Sequence, residues 1–145
     1  MSTNSITILD GGMGRELAKR GAPFRQPEWS ALAMIEAPDV VRDVHRAFIQ
    51  SGAGVITTNS YALVPFHIGD ERFTNQAQDL ATSAGEMARA AVELEGTDTK
   101  VAGSIPPLFG SYRADLFDAE HVEDIATPLI KGLAPHVDFW LAETQ

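Results

Sequence analysis

The sequence contains no cysteine, which removes disulfides and thiolate metal ligands from what its 145 residues can do on their own. It also has no apolar run approaching the roughly 20 residues that a membrane-crossing helix needs. Positive charge is scarce: 11 Lys and Arg stand against 20 Asp and Glu, for a formal net charge of -9. No run of basic residues focuses positive potential, and an acidic surface repels phosphate backbones, so nucleic acid is not an expected partner. The opening MSTNSITILDGG lacks the basic start and long apolar core of a secretory leader. A cytoplasmic protein with no membrane partner is the expectation.

What is present is an ordinary globular composition, 44% hydrophobic and 21% charged, at a length that suits a single domain over residues 1–145. Strand-like runs recur. ITIL (6–9), GVITTNS (54–60), KVAGSI (100–105) and VDFWLAE (137–143) are each apolar over much of their length, as strands covered on both faces are. Between them lie helix patterns. Val41, Val44, Phe48 and Ile49 share one face of residues 38–52, with Pro38 suited to the first turn and Gly52 to the stop. Residues 74–96 keep Ala77, Leu80, Ala81, Ala84, Met87, Ala88 and Ala91 at helical spacing, with Thr74 as the expected N-cap and Gly96 as the end. A third helix over 118–134 carries Val122, Ile125, Leu129 and Leu133, and Pro128 predicts a kink or break inside it.

The order β-α-β-α-β-α-β, with a long loop at 11–37, predicts an α/β fold with a parallel sheet. Eight strands close a (β/α)₈ barrel and four do not, so the fold class is a parallel (β/α) half-barrel, the first four strands of a TIM-type barrel.

In such folds chemistry sits at the C-terminal ends of strands. Asp10 there ends the first run, followed by Gly11 and Gly12. Either Asp10 holds a cation while glycine N–H groups hold an anion, or it caps a tight turn. Neither glycine-rich phosphate motif is present. Glu143 ends the fourth run, where an unpartnered carboxylate is costly, which favours a ligand or an ion pair. Asn59 and Tyr61 follow the second run, suited equally to ligand hydrogen bonds and to turn packing. His45, His67, His121 and His136 are scattered and expected to be solvated or satisfied rather than metal-bound. Arg113 and Asp115 form an expected loop ion pair.

LDGGMGRELAKRG, WSA, VHRAFIQSGAGVITTNSY, VAGSIPPLFGSY and VDFWLAET occur in that order, and together they resemble the homocysteine S-methyltransferase family over nearly the whole chain. The resemblance implies a (β/α)₈ barrel that moves a methyl group from a donor, such as S-methylmethionine or S-adenosylmethionine, to homocysteine, giving methionine. It implies that Asp10 and Glu143 bind the substrate's ammonium group, with N–H groups at Gly11 and Gly12 facing its carboxylate. A family zinc ion binds the substrate sulfur through three cysteines of the second barrel half, and this chain has no ligands for it. Arg15 and the prolines of GSIPPLFG also depart from the family pattern.

The chain then reads as the N-terminal half of such an enzyme, inactive alone. The expected partners are homocysteine, a methyl donor, and either further copies of itself or a complementing C-terminal half. A silent, self-associating half-barrel is the first alternative. Another small-molecule barrel enzyme, using Asp10 and Glu143 as acid and base, is the second.

Overall fold

A computed structural model describes residues 6–145. Three parallel strands, β1 (Val55–Thr57), β2 (Lys100–Ile105) and β3 (Phe139–Ala142), form one sheet in the order β1-β2-β3. Val55 lies beside Lys100 and Thr57 beside Ala102, while Ala102 lies beside Phe139 and Ile105 beside Ala142. The α/β class and the parallel order agree with the sequence. The first expected strand does not form as such: residues 6–9 contribute a single parallel bridge, Leu9 to Val55. Two backbone bonds hold the segment in place, Asp10 N–H to the Val55 carbonyl at 3.0 Å and Gly54 N–H to the Ile8 carbonyl at 2.8 Å. Ile6, Ile8 and Leu9 are 87%, 58% and 59% exposed, so little burial enforces a regular ladder there.

Helix α3 (Pro38–Gln50) starts on Pro38, buries Val41, Val44 and Ile49, and gives way to Gly52 at φ +101°. Helix α5 (Asp70–Glu95) ends at Gly96, whose φ of +62° is the left-handed stop expected of it. Its start is not Thr74, which lies inside the helix. The chain enters at Gly69 with φ +81°, and Asp70 and Glu71 place negative charge in the first turn, where the helix dipole favours it. Helix α6 (Val122–Leu133) runs unbroken through Pro128. Leu129 and Leu133 are fully buried, and that anchorage outweighs one missing backbone bond.

The expected loop at 11–37 contains α1 (Met13–Lys19) and α2 (Ala31–Glu36). In α2 no side chain caps the start, yet Ala31, Leu32, Ala33 and Met34 are all buried, and burial carries the helix. A short turn, α4 (Pro65–Ile68), precedes α5.

One buried cluster joins Leu17, Val41, Val44, Ala77, Ala81 and Leu129 among the helices. A second joins Ile49, Ile56, Ala88, Val92 and Val101 between helices and sheet. Gly132 lets α6 cross α5 closely: a Cβ there would lie 2.5 Å from the Gln78 carbonyl oxygen. The sheet edges stay open, with Phe139 and Trp140 41% and 43% exposed on β3. Among the described residues no helix is long and apolar enough to cross a membrane.

Candidate functional site

Asp10, Gly11, Gly12, Asn59, Tyr61 and Glu143, the six residues singled out from the sequence, line one cavity of about 350 Å³ at the C-terminal ends of the strands. Thr57, Thr58, Ser30 and Leu141 complete its wall. Two larger cavities, of about 900 and 740 Å³, lie among the helices and under the loop after β2, and neither contains Asp10 or Glu143. The smaller one is therefore the candidate site.

Asp10 is positioned by β1. The Thr57 N–H donates to one carboxylate oxygen at 2.7 Å and the Thr57 hydroxyl donates to the other at 3.3 Å. Asp10 does not cap a helix: Gly12 occupies the N-cap of α1 and no side chain bonds there. Burial pushes the Asp10 carboxyl up from its usual range, the Thr57 bonds oppose that, and the nearby Glu143 charge adds to it.

Glu143 follows β3, where its N–H donates to the Ile105 carbonyl at 3.1 Å. Its carboxylate accepts from the Ser104 hydroxyl of β2. Side chains alternate along a strand, so Leu141 and Glu143 share the cavity side.

Asn59 and Tyr61 serve packing as well as lining. Asn59 Nδ2 donates to the Ser30 carbonyl at 3.0 Å, and the Tyr61 hydroxyl pairs with the Ser111 hydroxyl at 2.7 Å. A Cβ on Gly11 would press on the Phe48 ring at 3.0 Å, whereas on Gly12 its nearest neighbour would be 3.9 Å away. Gly12, which lines the cavity, thus has room beside its Cα.

The sequence reading missed Thr57 and Ser104. Each lies within a strand-like run, but hydroxyls there are common, and only the contacts single these two out. Among the histidines, His67 in α4 has its Nδ1 3.1 Å from the Pro27 carbonyl, and His121 pairs with Asp118 at 2.7 Å. His136 lies in a turn, its carbonyl accepting from Arg89 at 2.9 Å. His45 departs from expectation: it is fully buried and, among the described residues, neither ring nitrogen has a partner. Burial depresses its pKa to about 4, so the ring is neutral at pH 7. Arg113 and Asp115 do pair, at 2.7 Å. Among the described residues no three His, Cys, Asp or Glu side chains gather to hold a metal ion. With no cysteine in the chain, the residues do not fit a thiolate zinc site.

The family profile described as Homocysteine S-methyltransferase matches residues 7–145. The chain is 32% identical over 122 residues to the Homocysteine S-methyltransferase of Escherichia coli strain K12, covering 79% of this chain and 39% of that protein. It is 30% identical over 127 residues to the Selenocysteine methyltransferase of Astragalus bisulcatus, covering 77% of this chain and 38% of that protein. Among solved structures it is similar to the metallated form of the homocysteine methyltransferase MmuM from Escherichia coli. The TM-score is 0.83 at 29% identity, over 98% of this chain and 55% of that one. The chain thus spans between a quarter and two fifths of the length of the curated relatives it matches, from 25% of the Homocysteine S-methyltransferase 1 of Arabidopsis thaliana to 39% of the Escherichia coli protein.

Proposed function

This chain belongs to the homocysteine S-methyltransferase family, and on that premise we propose that its 350 Å³ cavity receives the amino-acid end of homocysteine. Asp10 and Glu143 accept from the substrate ammonium, and N–H groups at Gly11 and Gly12 face its carboxylate. Asn59 and Tyr61 form the wall. One observation supports this most: two carboxylates meet at one cavity, and among the described residues neither is paired with a cation. The arrangement is unfavourable while empty, since burial and mutual repulsion both resist ionisation of Asp10. A bound ammonium relieves both.

The whole activity belongs to a larger assembly. In it the homocysteine sulfur, its thiol proton released to solvent, attacks the methyl carbon of a sulfonium donor such as S-methylmethionine or S-adenosylmethionine. The new sulfur–carbon bond forms as the donor's breaks, and the bonding pair stays on the donor sulfur. An unassisted thiol has a pKa near ~8.5 and is mostly protonated at neutral pH. The zinc and cysteines that would lower it must come from outside these 145 residues, from a complementing C-terminal half. A cytoplasmic setting belongs to the same reading, because a thiol substrate stays reduced there.

Calorimetry with homocysteine or methionine tests the cavity. Asp10→Asn and Glu143→Gln should each abolish measurable binding, since losing one desolvated charge partner costs about 2–5 kcal/mol. Unchanged affinity in both variants would refute the site. Metal analysis of the chain alone should find no tightly held zinc, and a separately expressed C-terminal half should restore methionine formation. A second reading, a catalytically silent chain that associates with itself, draws on the open edges at Leu9 and Phe139. Methionine formation on complementation would exclude it.

A further inference from the structure

We propose that Ser104 is a positioning residue, which fixes the Glu143 carboxylate at the cavity while the hydroxyls of Thr58 and Ser60 fix Ser104. This rests on the reading of the cavity as an amino-acid site. Ser104 is fully buried on β2, beside Leu141 in the sheet register. Its hydroxyl donates to Glu143 Oε2, a charge-assisted bond of the stronger kind. The backbone of Ser104 is itself tied down from both ends. Its N–H donates to Thr58 Oγ1 at 3.0 Å, and its carbonyl accepts from Ser60 Oγ at 3.0 Å. Thr58 and Ser60 bond each other at 2.8 Å, both buried.

The segment 57–60 therefore reaches both carboxylates. Thr57 holds Asp10 directly, while Thr58 and Ser60 hold Glu143 through Ser104. Left unrestrained, a Glu side chain has three rotatable bonds and would swing away from a neighbouring like charge. The Ser104 bond removes that freedom before any ligand arrives, so binding need not supply the ordering. Ser104 need not touch the ligand for this.

The test compares two probes on the full chain by calorimetry: methionine, and 4-(methylthio)butanoate, which lacks only the amino group. Ser104→Ala should weaken methionine binding about tenfold and leave the des-amino probe unchanged. Equal weakening of both probes would show a general structural role and overturn the proposal, as would no change in either. If the unaltered chain binds neither probe, the amino-acid reading of the cavity fails, and the positioning claim is decided separately. Three-bond NMR couplings of Glu143 should then report one χ1 rotamer with Ser104 and rotamer averaging with Ser104→Ala. A single rotamer in both would overturn it. Should Ser104→Ala not fold, Thr58→Val, which keeps the side-chain volume but frees the Ser104 amide, carries the same comparisons.

Discussion

Thr57 grips both oxygens of Asp10, its backbone N–H 2.7 Å from one and its hydroxyl 3.3 Å from the other. Those bonds favour the charged carboxylate, yet burial and Glu143 outweigh them and the Asp10 pKa rises. A carboxyl raised on folding contributes stability that is fully present below its ordinary value of 3.8 and is lost as pH climbs through the raised one. At neutral pH the ionised group is a cost. Asp10→Asn should therefore be more stable than the parent at pH 7 by about 0.5–1 kcal/mol, a small figure because the carboxylate is only part-buried. Urea midpoints at pH 3 and pH 7 would check it, with the gap narrowing at pH 3. A less stable variant at pH 7 would contradict it.

His45 carries the opposite sign. Its pKa falls on burial from 6.5 to about 4, so the folded chain binds fewer protons than the unfolded one across that interval. Stability should be full above 6.5 and fall, by a few kcal/mol in all, as pH drops through this window. His45→Leu should flatten this part of the profile while keeping the helix. An unaltered slope in the variant would assign acid sensitivity elsewhere.

Two glycines separate packing from binding. Gly132→Ala would drive a methyl against the Gln78 carbonyl at 2.5 Å and the Thr82 nitrogen at 2.8 Å, both backbone atoms of α5. It should cost about 1–3 kcal/mol in chemical denaturation. Gly12→Ala meets nothing within 3.8 Å, its closest approach being 3.9 Å to Arg15, and its φ is -71°. That variant should keep its stability but lose ligand affinity, because Gly12 lines the cavity and the methyl adds bulk to its wall. Destabilisation of the same size in both would mean that the two glycines serve one purpose.

The open edges predict association. Ile8 and Phe139 are 58% and 41% exposed at opposite sides of the sheet, and an unpaired edge flanked by apolar side chains invites another chain. Sedimentation at micromolar concentration should show a dimer or larger species. Ile8→Lys with Phe139→Lys should shift it toward monomer. A well-folded monomer of the parent chain under these conditions would rule this out.

The legible part of the fold was carried by spacing and punctuation. Apolar residues at helical intervals mark α3 and α5, Pro38 and Gly96 mark two of their ends, and both fall as expected. The cavity lining was legible because parallel sheets gather strand ends, and three stretches far apart in sequence, at 10–12, 59–61 and 143, share one cavity. Other features depend on contacts that no local pattern encodes. Helix α2 exists because four consecutive residues are buried. The start of α5 is set by Gly69 and two acids rather than by Thr74. Residues 6–9 have the composition of a strand, but one neighbour and high exposure leave a single bridge. Thr57 and Ser104 look like any other hydroxyl residues until their partners are known.

Trp140 sits beside Gly103 across the β2–β3 pair, and a Cβ on that glycine would meet the indole ring at 2.8 Å. The missing side chain leaves a shelf on which the ring lies at the rim of the sheet, 43% exposed. The protein thereby carries its own optical gauge. In a Trp29→Phe background the indole of Trp140 is the sole long-wavelength emitter, and its emission shifts to the blue as water leaves its surroundings. Covering of that rim, by whatever chain does so, can be timed in a stopped-flow fluorimeter without attaching a dye.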